Sequence, residues 1–172
     1  LQVENLPDRI YLVAHYNRAD IPAFDDRDAL IKKLNSIRKS IITRGAPIKL
    51  KYNFPHEEEG WAADDENECI VHIHIRDTIL LAPTGSKSLS EIAKLVGTEK
   101  IVLSKDPATE RFYKNNMDVL LKEDWPLFRR YALNDAEVCV RYFEYLSNKY
   151  LEYMGTRKLP GTLSNIGVKL LI

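Results

Sequence analysis

Apolar and polar positions alternate along this chain in blocks that switch between strand-like and helix-like periods. Arg9 to His15 is a short run of β-favouring residues and predicts a buried strand. From Asp28 to Thr43, Leu30, Ile31, Leu34, Ile37 and Ile41 recur at helical spacing, which predicts an amphipathic helix stopped by Gly45 and Pro47. Ile48 to Phe54 and Cys69 to Ile75 read as strands, joined by the acidic connection PHEEEGWAADDENE at a hairpin tip with Trp61 packed beneath it. In the second of them Val71, Ile73 and Ile75 share one face, and His72 and His74 the other. SLSEIAKLVG predicts a short helix, with Ser88 as N-cap, Glu91 completing a capping box and Gly97 as the stop. Asn115 to Lys122 predicts another. Trp125 to Tyr150 is the longest helical segment, with Phe128, Ala132, Ala136, Val140 and Phe143 along a stripe. Pro160 and Gly161 mark a break, after which Thr162 to Ile172 starts a further element. The sum is an α/β chain.

Composition narrows the class. The 172 residues suit one domain with an ordinary core. Lys and Arg total 25 against 25 Asp and Glu, so no basic excess points to nucleic acid and any such surface must come from local clustering. The two cysteines, Cys69 and Cys139, lie far apart in apolar contexts and read as reduced thiols in a cytoplasmic setting. No apolar run reaches membrane-span length, so no membrane partner is expected. The chain starts at Leu1 rather than Met and is read as a piece of a longer protein.

Two stretches carry candidate chemistry. In YLVAHYNRADIPAF the strand stops at a polar cluster of His15, Asn17 and Asp20 just before a helix-like pattern, leaving Asp20 either a metal ligand or a helix cap. In YALNDAEV, Tyr131 and Asp135 project from one helix face a turn apart. A carboxylate with a phenol above it can hold a divalent ion while the hydroxyl orients an attacking water; the alternative is a surface Tyr–Asp pair. His72 and His74 can chelate a metal from one strand face or simply sit on a covered or solvated one, and Asp77 is placed to orient the turn that follows it. Arg38, Lys39, Arg44, Lys49 and Lys51 form either a nucleic-acid track or scattered solvated charge.

HYNRAD at a strand-to-helix junction, then SLSEIAKLVG, then YALNDAEV on a long helix together resemble the 3′–5′ exonuclease domain of family B DNA polymerases, nearest the protein-primed type of phages, linear plasmids and related mobile elements. The resemblance implies an RNase H-like (DnaQ-like), DEDD-type fold, a mixed sheet flanked by helices. It covers roughly Arg9 to Leu146 and implies an exonuclease-like domain over residues 1–155, with 156–172 leading into the polymerase domain of the same chain. It implies that Asp20 and Asp135 are metal ligands and that Tyr131 positions water. Ser88 and Leu89 fall on a motif that contacts the single-stranded DNA 3′ end, and Asn17 lies near the family's DNA-contacting asparagine. A catalytic lysine is implied between the second and third motifs, with Lys100 and Lys105 both eligible.

The sequence departs from the family at two places. Tyr16 and Ala19 stand where an asparagine and an aromatic are usual, with Asn17 one position late. The family's first motif, Asp-x-Glu, has no match from Leu1 to His15, and Asp64-Asp65-Glu66 follows the second motif instead of preceding it. Two Mg²⁺ or Mn²⁺ ions roughly 4 Å apart need several anionic oxygens between them. With two of the four carboxylates and the first strands outside the sequence, the isolated fragment is expected to have little activity. The rival readings are a catalytically degenerate RNase H-like scaffold or single-strand-binding module, and a stand-alone nuclease of a mobile element.

Overall fold

A computed structural model describes residues 7–17, 19–23, 25, 27–32, 34–37, 40–43, 48–53, 68–85 and 87–172. The expected acidic hairpin tip with Trp61, the stops at Gly45 and Pro47, and the basic residues Arg38, Lys39 and Arg44 lie outside them. The fold is mixed α/β. The chain divides into two compact units, Leu1–Leu12 with Tyr16–Asp77, and Val13–His15 with Thr78–Ile172.

The first unit is organised by strands. β1 (Arg9–Ala14), β4 (Ile48–Asn53) and β5 (Glu68–Asp77) form a small mixed sheet in the order β1-β5-β4. β4 and β5 are antiparallel, with Ile48 opposite Ile73 and Lys49 opposite His72. Period-two alternation sends Val71 and Ile75 inward, where Ile75 clusters with Ile21, Leu34 and Ile48. On the histidine face, the His74 ring stacks on Tyr11 at 4.9 Å, and the Arg76 guanidinium lies 5.8 Å from the Tyr11 ring centre.

The helix expected over 28–43 is not there. α1 (Arg27–Ile31) ends early, and β2 (Leu34–Ile37) and β3 (Ser40–Thr43) pair antiparallel with Ile37 opposite Ser40. Isoleucine and threonine at 37 and 41–43 are β-branched; they lose side-chain freedom in a helix and suit a pleated surface. Helical spacing of the apolar residues is compatible with this hairpin as well, and β-branching decides for it.

Helices dominate the second unit. After the single turn α2 (Thr78–Leu81), α3 (Leu89–Leu95) has the predicted start and stop. The Ser88 hydroxyl accepts the Glu91 amide at 3.3 Å, the Ser88 amide donates to Glu91 Oε2 at 3.1 Å, and Gly97 takes a left-handed φ of 68°. α4 (Pro107–Asn115) was not anticipated, although Asp106 caps Thr109 N at 2.8 Å and Pro107 opens the helix. α5 (Met117–Glu123) and α6 (Trp125–Met154) match the expected helices, and α7 (Leu163–Leu171) fills the last segment. α6 ends at Gly155, whose φ of 66° is the left-handed conformation that terminates helices.

The inward face of α6 is not the stripe read from sequence. Ala132, Ala136 and Val140 are exposed, whereas Tyr131, Val138, Cys139, Tyr142, Phe143, Ser147 and Tyr150 are buried. Tyrosines suit this face because each supplies a large apolar body, and at Tyr142 the hydroxyl donates to Leu81 O at 2.9 Å. Tyr131 forms a core with Leu103 and Leu120, flanked by Ile101, Met117 and Phe128.

Candidate functional site

In the first unit, the end of β1 is tied to the end of β5 by one carboxylate. Asp77 is fully buried and accepts the amides of Tyr16 at 2.8 Å and Asn17 at 3.0 Å. Through these bonds it orients a turn about 60 positions earlier in the chain. Tyr16 has a left-handed φ of 64°, uncommon for a residue with a side chain. Asn17 is buried, and its carbonyl accepts the amides of Asp20 and Ile21 at 3.0 and 2.9 Å, opening the 3-10 turn Ile21–Ala23. The Asp20 carboxylate caps nothing among the described residues, and Asp20 keeps a solvent-exposed edge. Partial burial, helped by the charge of Asp77, pushes its carboxyl above the ordinary range.

The second unit holds a tighter constellation around Asp135. The helical repeat of α6 puts Tyr131, Asn134 and Asp135 on adjoining positions of one face. Lys100 Nζ lies 3.4 Å from Asp135 Oδ2 and 5.1 Å from the centre of the Tyr131 ring. Side chains of Lys100 and Asp135 are 23% and 27% exposed, so neither is a free surface charge. Burial pushes the Asp135 carboxyl up against the opposing pull of Lys100, Tyr131 and His15. At Lys100 burial acts downward, but Tyr131 and Asp135 outweigh it and the ammonium is held above its usual range. Oδ1 of Asp135 is buried and has no hydrogen-bond partner among the described residues. A surface Tyr–Asp pair would not leave a carboxylate oxygen dry and orphaned.

His15 joins this unit from the end of β1. Its Nδ1 meets Thr78 Oγ1 at 2.9 Å, and Thr78 Oγ1 donates to Ala14 O at 3.2 Å. Because the threonine has one proton and gives it to the carbonyl, His15 Nδ1 is the donor to the hydroxyl. Neither Thr78 nor Asn134 was singled out from sequence. Asn134 Oδ1 accepts Ile101 N at 3.1 Å and its Nδ2 donates to Glu99 O at 3.2 Å. The signal in reach was the polar Asn-Asp pair beside a buried tyrosine on an otherwise amphipathic helix.

The remaining expected residues are placed as follows. Lys105 is exposed in the turn ahead of α4 and makes no ion pair among the described residues, unlike Lys100. Ser88 is exposed with its hydroxyl engaged in the α3 cap, 2.7 Å from Glu91 Oε2, and Leu89 is half-buried beside it. Asp20 and Asn17 belong to the first unit, and Asp135, Tyr131 and Lys100 to the second. Oxygen donors of this kind suit hard divalent cations, and the orphaned Oδ1 of Asp135 fits such an ion. Among the described residues no three His, Cys, Asp or Glu side chains converge on one metal position. No helix among them is long and apolar enough to cross a membrane.

The chain is 26% identical over 176 aligned positions to the primer-independent DNA polymerase PolB of Escherichia coli. That similarity covers 94% of this chain and 19% of the polymerase, so the chain spans about a fifth of its relative's length. No family model matches the chain, and no solved structure matches it. The chain is related to a DNA polymerase.

Proposed function

We propose that this chain is the 3′–5′ exonuclease region of a family B DNA polymerase, hydrolysing the 3′-terminal phosphodiester of single-stranded DNA. The observation that carries the reading is the buried, partnerless Oδ1 of Asp135 with Lys100 and Tyr131 beside it. In this reading Asp135 and Asp20 hold Mg²⁺ or Mn²⁺, and two further carboxylates come from an Asp-x-Glu motif on another strand. The chemistry supplied by the bound ions is activation of water and neutralisation of charge at the leaving 3′ oxygen. Lys100, not Lys105, is the lysine of the site: its ammonium, 3.4 Å from Asp135 Oδ2, opposes the burial that pushes that carboxyl up. The Tyr131 hydroxyl orients the attacking water. Ser88, Leu89 and Asn17 contact the DNA strand, and residues 156–172 lead into the polymerase domain. Similarity to PolB over nearly the whole chain supports the assignment to a polymerase.

The test is cleavage of a 3′-labelled single-stranded oligonucleotide by the longer protein containing this chain, with Mg²⁺ or with chelator. Asp135→Ala should abolish nearly all activity with the helix intact, since alanine is well tolerated there. Tyr131→Phe should cost less, about 10–100-fold, the range for groups that orient a site without ligating. Equal cleavage by the parent and Asp135→Ala proteins would refute the assignment. A second reading is a module that binds single strands without cutting them. Retained binding with no metal-dependent cleavage by the longer protein would select it.

A further inference from the structure

Lys100 lies in an irregular stretch between α3 and α4, where no regular backbone pairing fixes its direction. Its ammonium nevertheless reaches both Asp135 and the Tyr131 ring. Something must hold the chain on either side of it. The carboxamide of Asn134 does so with both of its polar atoms: Oδ1 accepts the amide of Ile101 at 3.1 Å, and Nδ2 donates to the carbonyl of Glu99 at 3.2 Å. In an extended chain the carbonyl of one residue and the amide two positions later point to the same side. Asn134 therefore reads residues 99–101 as a neighbouring strand would, and selects an extended backbone at Lys100 itself.

We infer that Asn134 is a positioning residue, whose amide clamps the backbone flanking Lys100 and so delivers that lysine to the neighbouring carboxylate on the same helix. The linkage is rigid because the two functions share one turn of α6: Asn134 sets where Lys100 begins, and Asp135, the next residue, sets where it ends. Asparagine is specifically suited. Aspartate lacks the donor for Glu99 O, alanine lacks both partners, and leucine matches the volume without either. The half-buried Ile101, packed on the Tyr131 core, fixes the far side of the clamp. No local pattern signals this role, because the bonds span 33 and 35 positions.

The inference rests on the proposed nuclease reading only for its activity arm. The first arm is geometric and needs no activity. A carbodiimide joins an amine and a carboxylate directly, so the yield of a Lys100–Asp135 isopeptide, mapped by mass spectrometry, reports their approach. Lys114 and Glu110, paired on α4 at 2.6 Å, give an internal reference in the same molecule. Asn134→Ala should lower the Lys100–Asp135 yield about tenfold relative to Lys114–Glu110, as expected when reacting groups drift by an ångström or so. Asn134→Leu is the second variant should alanine impair folding, and it should give the same loss. An unchanged ratio in a folded variant would overturn the inference.

The second arm uses oligonucleotide cleavage by the longer protein in a double-mutant cycle. Asn134→Ala should slow cleavage in the parent and add no further loss in a Lys100→Ala background, because it acts through that lysine. Additive losses would overturn the inference. If the longer protein cleaves nothing, the nuclease reading fails, and the cross-linking ratio still decides the role of Asn134.

Discussion

Removing the carboxylate of Asp77 should loosen the whole exit from β1, and the size of the effect can be built from its bonds to Tyr16 and Asn17. Asp77 is fully buried and accepts the amides of Tyr16 at 2.8 Å and Asn17 at 3.0 Å. Hydrogen bonds to a charged acceptor contribute about 1.5–3 kcal/mol each. In Asp77→Ala the Asn17 amide stays buried, so its bond counts nearly in full. Tyr16 is exposed, so its amide recovers water and counts for less. The left-handed backbone at Tyr16, costing about 1–3 kcal/mol by itself, also loses one of the contacts that enforce it. Against this, a buried charge no longer has to be desolvated. The balance is a destabilisation of about 3 kcal/mol, or roughly 6–12 °C in Tm for a chain of this size.

Thermal unfolding followed by circular dichroism measures it directly. Asp77→Asn keeps one acceptor but turns an NH₂ toward the other amide, so it should fall between the parent and Asp77→Ala. A Tm for Asp77→Ala within about 2 °C of the parent would refute the argument that this carboxylate organises the turn.

Two further substitutions probe packing and pH. Tyr142→Phe removes a buried hydroxyl that donates to Leu81 O and whose pKa is pushed up to about 12, and should cost about 1 kcal/mol in urea unfolding with helix content unchanged. Burial, with Arg76, Arg9 and His72 adding to it, pushes His74 from 6.5 down to about 4, so the unfolded chain takes up the proton first and stability is lost as pH falls from about 6.5 toward 4. Discounted for the partial exposure of the ring, that loss is about 1 kcal/mol between pH 7 and pH 5. His74→Phe, which can keep the stack on Tyr11, should unfold in urea without that component of pH dependence.

Local signals were legible wherever the determinant is local. Ser88 and Glu91 satisfy each other within one turn, and Gly97 needs only its own φ, so the boundaries of α3 follow from ten letters. The same logic was available at Asp106-Pro107-Ala108-Thr109-Glu110, where Asp106 caps and Glu110 Oε2 accepts Ser104 N at 2.8 Å, and α4 could have been found by it. Residues 28–43 failed for another reason. Apolar spacing fits a helix there, but a hairpin that buries the same leucine at 34 against Ile21 and Ile75 is compatible with the β-branched residues as well. Spacing states which residues want to be buried and leaves open what buries them.

At the candidate site, residue types were legible and their couplings were not. Tyr131 and Asp135 lie four apart on one helix, so their common face follows from the helical repeat alone. Choosing between Lys100 and Lys105 needs a different kind of fact, because both precede α4 in irregular chain and either can reach far. In the proposed reading the choice falls to the Asn134 amide, which bonds the backbone at Glu99 and Ile101 beside Lys100, whereas Lys105 is exposed. Asp77 makes a similar selection just after β1, where its bonds to Tyr16 and Asn17 hold a turn that propensity alone disfavours at a tyrosine. In both places a polar side chain stands in for a strand's backbone edge, accepting amides that no regular element satisfies. Such pairings cross 33 to 61 positions of sequence. They carry no periodicity, and for that reason the residues that position the site were harder to read than the residues proposed to perform its chemistry.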